Sequence, residues 1–290
     1  MGRAVTVRLM LPAPAKINLF LHVTGRRVDG YHLLESVFVP VSLVDTVMLT
    51  LRTDGKIALL DPPEGITESN DLACRAARAL QVATGTALGV EIQLTKRIPQ
   101  GAGLGGGSSD AATTLLGLNR LWKLGRSRAE LQDIGATLGA DVPFFAFGQP
   151  ALVQGMGDKL RAVTLPATHA VIASPGVALA TNAVFSHPDL TRNTPALNTP
   201  VFSMDYGRND LQAVAASLAP TIAHLQRAFV AAGATPKMTG SGSCVFALAH
   251  CAAEALQLRA ALSQTGWRAW TVRTLARHPL FSFASVETVL

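Results

Sequence analysis

A run of glycines in the first half of the chain constrains its fold more than any other feature. Five glycines fall within residues 101–107, between a strand-like segment ending near Thr95 and a helix-like segment beginning near Asp110. Because glycine has no Cβ, such a run adopts positive φ angles and lets backbone N–H groups approach a ligand closely. Where the run opens a helix, the N–H groups and the helix dipole attract an anion. The run therefore predicts a phosphate-binding loop.

Three kinds of glycine-rich phosphate site compete for this run. A P-loop requires Gly-Lys-Ser or Gly-Lys-Thr, and neither occurs in the chain. Residues 101–106 match the dinucleotide fingerprint Gly-x-Gly-x-x-Gly, but that site also needs an acidic strand end about 20 residues later. The acidic residue in that region, Glu130, lies in a helical pattern beginning at Ser127. The third design is Pro-x-x-x-Gly-Leu-Gly-x-[Gly/Ser]-Ser-Ser, which residues 99–109 match.

The composition restricts the class of protein. Hydrophobic residues make up 49% of the 290 residues and charged residues 15%, which excludes disordered and coiled-coil chains. The longest apolar stretches are interrupted before the roughly 18–20 residues that a membrane-spanning helix needs, so no membrane partner is expected. The net charge of +6 is spread without a basic run, which argues against a nucleic-acid partner. The three cysteines lack the spacing of a zinc site or a disulfide framework.

Strand-like and helix-like segments alternate along the chain. The pattern predicts strands over residues 14–24 and 90–95, and helices over residues 72–83, 110–124 and 127–139. Ser108 or Ser109 is expected to cap the fourth of these segments, and Ser127 with Glu130 forms a capping box in the fifth. The segment that follows, residues 140–143, should be extended or turning because a residue before proline avoids the α region. The fold class is therefore mixed α and β.

Three ordered motifs resemble those of the GHMP kinases, a family that includes galactokinase, homoserine kinase, mevalonate kinase and phosphomevalonate kinase. Residues 99–109 resemble the family's ATP-binding motif, residues 14–21 its N-terminal strand, and residues 238–246 its C-terminal glycine motif. Together they span almost the whole chain. Within the family, residues 13–32 and 139–145 are most similar to the members that act on a cytidine diphosphate sugar alcohol.

The resemblance implies an α/β (α+β) fold of two domains. The N-terminal nucleotide-binding domain is expected over residues 1–157 and a C-terminal ferredoxin-like domain over residues 158–290, with the active site in the cleft between them. The boundary is predicted there because a charged turn at Asp158 follows two glycines, Gly155 and Gly157.

The activity that the resemblance implies is transfer of the γ-phosphate of ATP to the 2-hydroxyl of a methylerythritol unit, in the non-mevalonate route to isoprenoid precursors. The alternative is a GHMP kinase that acts on mevalonate, homoserine or a sugar. Mg²⁺ is expected with ATP, although no carboxylate pair identifies its ligands and Ser109 is only one candidate hydroxyl. No transit segment precedes Lys16, so we expect a bacterial cytoplasmic enzyme, either a monomer or a weak homodimer.

Two residues are predicted to be catalytic by resemblance, Asp141 and Lys16. Alone, Lys16 could be an edge-strand charge and Asp141 a turn or capping residue. In the family role, Asp141 accepts the proton of the substrate hydroxyl while Lys16 stabilises the developing charge. Lys16 and Asn18 are two residues apart on a strand, so they share one face.

The resemblance also assigns the two binding sites. The ATP-binding set is Pro99, Gly101, Gly103, Leu104, Gly105, Gly106, Gly107, Ser108, Ser109, Asn70 and Lys96. The substrate-binding set is Asn18, Tyr31, His32, Thr181, Phe185, Gly240, Ser241 and Gly242. Tyr31 and Phe185 are expected to stack on cytosine and His32 to read its hydrogen-bonding edge. The plainer alternatives are an exposed loop tyrosine, a helix-core phenylalanine and a simple glycine turn.

Overall fold

The computed structural model describes residues 7–62, 67–197 and 203–285, which form two β-sheets covered by helices. The first sheet has the order β3-β4-β2-β5-β6, with β1 paired to β2. Strand β3 pairs with β4 in parallel and the other pairs are antiparallel. The strands are β1 (Arg8–Arg26), β2 (His32–Arg52), β3 (Ile57–Leu60), β4 (Gly89–Thr95), β5 (Ala151–Gly155) and β6 (Lys159–Ala162).

Strand β1 is buried on both faces along residues 13–23. On one face Ile17 shares a core cluster with Ile172, so this side packs against the second sheet. The other face carries Lys16 and Asn18, which are 3% and 1% exposed. A lysine held in such a position must have partners that offset its desolvation.

Four helices cover the first sheet and share its main core. They are α1 (Leu72–Thr84), α2 (Gly106–Leu121), α3 (Arg128–Ala136) and α4 (Val142–Phe147). Asp71 caps α1 by accepting a hydrogen bond from the N–H of Cys74 at 2.9 Å. The capping box of Ser127 and Glu130 at α3 is confirmed.

Two local predictions were wrong. Helix α2 begins at Gly106 and ends at Leu121, and its N-cap is Gly105, so neither serine caps it. Glycine is favoured at Gly106 in this first turn because a Cβ there would lie only 3.1 Å from the Cγ2 of Ile98. Residues 140 and 141 form the expected turn, but α4 then starts at Val142 despite the following proline, because proline fits the first turn and the helix buries apolar side chains.

The second sheet has the order β10-β7-β9-β8, with antiparallel pairing throughout. Its strands are β7 (His169–Ser174), β8 (Lys237–Met238), β9 (Val245–Ala249) and β10 (Arg268–Arg273). The helices of this half are α5 (Thr181–Ser186), α6 (Gln212–Leu218), α7 (Pro220–Ala231) and α8 (Ala252–Gln264). Numbered within this sheet, the order is 4-1-3-2 with helical crossovers, which is the ferredoxin-like arrangement that the sequence analysis expected.

The last described residues, 276–285, return from the second sheet to the first domain. Leu280 and Ala284 lie in the first domain's core. The buried guanidinium of Arg128 donates to carbonyls on both sides of this contact, including that of Phe281. The C-terminal segment therefore fastens the two halves of the chain together. Among the described residues, no helix is both long and apolar enough to cross a membrane.

His278 in this segment should make the fold acid-sensitive. Burial, reinforced by the nearby Arg128 cation, lowers the pKa of His278 to about 3. Its Nδ1 accepts from the N–H of Leu280 at 3.0 Å, and its Nε2 has no partner among the described residues. The unfolded state, with a pKa near 6.5, therefore binds the extra proton as pH falls. This ring's contribution to the free energy of unfolding should fall by about 1.4 kcal/mol per pH unit from about 6.5 to about 3.

The variant His278→Asn removes this titrating ring, so its free energy of unfolding should depend less on pH than that of the parent chain. Urea unfolding at pH 7, 5.5 and 4.5 measures the difference. His224→Asn, on the exposed side of α7, is the control and should keep the parent slope. If the free energy of unfolding depended on pH equally in all three proteins, His278 would not be the source of the acid sensitivity.

Candidate active site

A cavity of about 1130 Å³ lies between the two domains. The first domain contributes β1, the glycine loop and the start of α4, and the second contributes α5 and the C-terminal glycine turn. Most of the predicted site residues line it. They are Lys16, Asn18, Tyr31, His32, Asn70, Lys96, Pro99, Gly101, Gly103, Gly105, Gly106, Gly107, Ser108, Asp141, Thr181, Phe185, Gly240 and Ser241.

Three predicted ligand residues lie behind the cavity wall instead of on it. Leu104 is a fully buried member of the core beneath the loop. The hydroxyl of Ser109 is buried and has no hydrogen-bond partner among the described residues. A Cβ on Gly242 would lie 2.9 Å from the Sδ of Met238, so this glycine faces the second domain's interior. Because they face the protein interior, these three residues can support the loops by packing but do not present their side chains to the cavity.

The glycine loop presents the start of α2 to the cavity. The φ angles of Gly101, Gly103 and Gly105 are +59°, +76° and +70°, as expected for a loop that only glycine adopts easily. Gly105 has no side chain that could accept a capping hydrogen bond, so no N-cap side chain occupies the N–H groups of the first helical turn. Residues 106–108 line the cavity at this point. The geometry is that of an anion site at a helix N-terminus.

Both domains hold the glycine loop. From β1, the N–H of Lys16 donates to the carbonyl of Leu104 at 3.0 Å. From the second domain, the N–H of Cys244 donates to the carbonyl of Ala102 at 3.1 Å. The loop shape therefore depends on the two domains remaining in contact.

The two glycine motifs interlock at Gly103 and Gly240. A Cβ on Gly103 would lie 2.1 Å from the carbonyl oxygen of Thr239, and one on Gly240 would lie 2.8 Å from the carbonyl oxygen of Gly103. Real Cβ atoms do not approach other atoms so closely, so both positions require glycine. The C-terminal glycine motif thus packs directly on the glycine loop of the first domain.

Lys16 and Asp141 form an ion pair at the cavity wall. The Nζ of Lys16 lies 3.5 Å from Oδ2 of Asp141, donates to Oδ1 of Asn18 at 2.7 Å, and lies 4.5 Å from the ring centroid of Phe38. The side chain of Asp141 is 30% exposed, whereas that of Lys16 is only 4% exposed. The ammonium is therefore fixed while the carboxylate remains accessible to a molecule in the cavity.

Asn18 connects β1 to the second domain. Besides Lys16, its Oδ1 accepts from the N–H of Gly240 at 2.9 Å and from the hydroxyl of Thr239 at 3.2 Å. Its Nδ2 donates to Oγ of Ser36 at 3.0 Å. The predicted role was a substrate hydrogen-bond donor. The structure adds a second role, in which Asn18 sets the Lys16 ammonium and the glycine turn at fixed positions.

Sequence reasoning missed two carboxylates that hold Lys96. Its ammonium donates hydrogen bonds to Oδ2 of Asp45 in β2 and to Oδ2 of Asp110 in the first turns of α2. Although burial opposes the charged form, these carboxylates raise the pKa of Lys96. Burial raises the pKa of Asp110 to about 7, since the attraction of Lys96 only partly offsets it. A charged residue inside the otherwise apolar α2 pattern was the available signal for Asp110.

Three rings that line the cavity, those of Tyr31, His32 and Phe185, are called here the aromatic slot. The ring centroids of His32 and Phe185 are 5.2 Å apart with an interplanar angle of 39°. Tyr31 is 64% exposed, so its ring is accessible from solvent. Next to the slot, the hydroxyls of Thr181 and Ser241 are hydrogen-bonded at 2.9 Å. The structure therefore gathers rings from distant parts of the chain on one side of the cavity.

Family models match both halves of the chain. The model described as GHMP kinases N terminal domain matches residues 71–149, and the model described as GHMP kinases C terminal matches residues 196–267. The chain belongs to the GHMP kinase family. The expected family and its two-domain fold are thereby confirmed, and the protein is a small-molecule kinase that uses ATP.

Curated relatives of this GHMP kinase share nearly half of its sequence. A protein of Azoarcus sp. (strain BH72) is 48% identical over 270 residues, covering 93% of this chain and 95% of the relative. A protein of Nitrosospira multiformis is 49% identical over 280 residues, covering 95% and 94%. Both are named 4-diphosphocytidyl-2-C-methyl-D-erythritol kinase.

Solved structures agree with this relationship. A crystal structure of 4-(cytidine 5'-diphospho)-2C-methyl-D-erythritol kinase superposes with a TM-score of 0.80 at 36% identity, covering 92% of this GHMP kinase and 99% of that chain. Homoserine kinase from Cytophaga hutchinsonii superposes with a TM-score of 0.61 at 18% identity, covering 96% and 98%. The second likeness shows the fold alone.

Proposed function

We propose that this GHMP kinase transfers the γ-phosphate of ATP to the 2-hydroxyl of 4-diphosphocytidyl-2-C-methyl-D-erythritol, in the non-mevalonate route to isoprenoid precursors. The observation that carries the proposal is that one cavity contains the start of α2, the Lys16–Asp141 pair and the aromatic slot. A nucleotide phosphate, a reacting hydroxyl and a flat base would each find a matching surface there. The names of the relatives support the same substrate.

The proposed reaction uses the Lys16–Asp141 pair for proton removal and charge stabilisation. The substrate hydroxyl oxygen attacks the γ-phosphorus, the bond from that phosphorus to the bridging oxygen of ADP breaks, and the hydroxyl proton moves to the carboxylate of Asp141. The ammonium of Lys16 stabilises the negative charge that develops between them. Because phosphoryl transfer depends mainly on positioning and electrostatics, an aspartate is a sufficient base.

Mg²⁺ would be held mainly by the nucleotide. Among the described residues, no group of three or more His, Cys, Asp or Glu side chains could hold a metal ion. That fits a Mg²⁺ ion bound through phosphates and water with few protein ligands. Ser108 lines the cavity at the first turn of α2, and its hydroxyl is the protein group that would help to hold the ion. When bound, the ion neutralises phosphate charge.

The aromatic slot favours a cytidine substrate over the alternative small alcohols. Mevalonate and homoserine have no aromatic ring, so Tyr31 and Phe185 would have nothing to stack on. Offset stacking of a pyrimidine between two rings contributes about 1–3 kcal/mol per base in other proteins. The Asn70 and Lys96 end of the cavity remains for the nucleoside of ATP in this proposal.

A coupled assay of ADP release against a panel of acceptors tests the proposed function. The acceptors are 4-diphosphocytidyl-2-C-methyl-D-erythritol, mevalonate, homoserine and galactose, each with ATP and Mg²⁺. We expect turnover of the cytidine compound alone, with mass spectrometry showing one added phosphate. Turnover of another acceptor in preference to it would contradict the proposal. An Asp141→Asn variant measures background ATP hydrolysis.

The domain division, the compartment and the assembly state are further proposals. Strand β6 pairs with β5, which supports ending the first domain a few residues after 157. The relatives are bacterial metabolic enzymes, which supports action in a bacterial cytoplasm. We propose a monomer or weak homodimer, which sedimentation measurements would test.

A further inference from the structure

Arg192 lies behind the aromatic slot and contacts two of its parts. This half-buried residue follows α5 in a segment without regular secondary structure and does not line the cavity. Its Nε donates to Nε2 of His32 at 3.1 Å. Its Nη2 donates to the carbonyl of Phe185 at 3.2 Å and to that of His187 at 2.7 Å. One planar side chain therefore connects the ring of His32 to the backbone of Phe185.

The hydrogen bond to His32 determines which nitrogen of that ring carries a proton. A guanidinium has only donors and stays protonated in proteins, so Nε2 of His32 must accept. A neutral imidazole that accepts at Nε2 carries its hydrogen on Nδ1. Among the described residues, no hydrogen-bond partner of Nδ1 is present, while His32 itself lines the cavity. The ring thus has a free donor on its other nitrogen.

Burial and the neighbouring positive charges also favour the neutral form of His32. Burial, followed by the positive charges of Arg192 and Arg26, lowers the pKa of His32. The neutral ring is therefore the form present near pH 7. A donor at Nδ1 pairs with an acceptor such as N3 of cytosine, whereas N3 of uracil carries a hydrogen and would oppose it.

We propose that Arg192 is a positioning residue for the base of the substrate: it holds His32 in the Nδ1–H tautomer and fixes that ring relative to Phe185. The inference rests on the proposed function for the identity of the base. Its structural part, the state of His32, does not depend on any substrate. Lysine would not replace Arg192 fully, since a single ammonium lacks the planar fork that reaches both the imidazole and the two carbonyls.

Nuclear magnetic resonance of ¹⁵N-histidine-labelled protein tests the structural part directly. The His32 signals are assigned by their loss in His32→Gln. In the parent chain we expect a protonated Nδ1 and an unprotonated Nε2. In Arg192→Met we expect a mixture of tautomers and a pKa of His32 that moves up toward about 6.5. A parent ring protonated at Nε2 would overturn the proposal; the tautomer is measured on the parent protein, and His32→Gln serves only to assign the signals.

Kinetics test the consequence for substrate binding. In Arg192→Met the KM for the cytidine substrate should rise about tenfold, the effect of one disordered hydrogen bond, while kcat and the KM for ATP stay near parent values. Arg192→Lys should be intermediate. Arg227→Met, at an exposed position of α7, is the control and should behave as the parent. An unchanged KM and an unchanged tautomer in Arg192→Met would overturn the inference.

The two proposals fail in distinguishable ways. If the parent enzyme does not phosphorylate the cytidine compound, the proposed function is wrong, whatever the state of His32. Suppose instead that the parent enzyme phosphorylates the cytidine compound, and that the parent and Arg192→Met prefer it over a uridine analogue to the same extent. The positioning role of Arg192 is then overturned and the proposed function stands.

Discussion

Replacing Asp141 by asparagine is expected to lower kcat by about 10²–10⁴-fold, because the amide accepts no proton from the attacking hydroxyl. The side chain keeps its shape, and the Lys16 ammonium retains its bond to Asn18 at 2.7 Å, so the cavity wall should not collapse. ATP binding should persist, because the glycine loop and the start of α2 are unchanged. Steady-state kinetics with the cytidine substrate and calorimetric titration with a nonhydrolysable ATP analogue measure the two effects.

Asp133→Asn provides the matched control for that experiment. Asp133 is exposed on α3, so this variant loses the same charge at a position remote from the cavity and should keep the parent kcat. Turnover of Asp141→Asn near the parent rate would remove Asp141 from the proton-accepting role. Loss of ATP binding together with activity would instead indicate that the ion pair with Lys16 holds the site together.

Replacing Gly103 by alanine is expected to lower kcat/KM for ATP by about 10²-fold, since misplacement of reacting groups by about 1 Å has effects of this size. The new Cβ would lie 2.1 Å from the carbonyl oxygen of Thr239, where no flexible side chain can move aside. Either the glycine loop or the C-terminal glycine turn must shift, and both line the cavity. Titration with an ATP analogue and kinetics over a range of ATP concentrations measure the result.

Gly125→Ala separates backbone strain from steric overlap. Gly125 has a φ of +66°, similar to the +76° of Gly103, but a Cβ there meets nothing within 4 Å. Both variants carry the cost of a left-handed alanine, about 1–2 kcal/mol, and the control should lose stability without losing activity. If both variants retained parent kcat/KM, the interlock of the two glycine motifs would have no role in catalysis.

The motifs of the site could be predicted because each depends on local chemistry. The positive φ angles of the glycine loop follow from the glycines themselves, and the capping box at α3 follows from Ser127 and Glu130. Local rules failed where burial decided the outcome. Helix α4 starts at Val142 against the preference imposed by the next proline, because its apolar side chains pack in the core.

Residues that act through partners far along the chain were not predictable in the same way. Lys96 is predicted to bind ATP and lines the cavity, and its ammonium is held by Asp45 and Asp110, which are 51 and 14 residues away. Arg192 contacts His32 across 160 residues. No spacing rule connects such pairs, since only the packing of separate elements brings them together.

The sequence by itself determined that this protein has a glycine-rich loop before a helix, a Lys-x-Asn strand and a Gly-Ala-Asp-Val-Pro turn, because these are patterns of neighbouring residues. The tertiary structure alone decided how they meet. Packing within the first domain places the Lys16 ammonium 4.5 Å from the ring centroid of Phe38 and 3.5 Å from Asp141. Packing between the domains places the turn at Gly240 on Gly103. The physical reason is that close packing, and the desolvation that comes with it, depends on contacts between segments far apart in the chain, which for Asn18 and the Gly240 turn are over 200 residues apart.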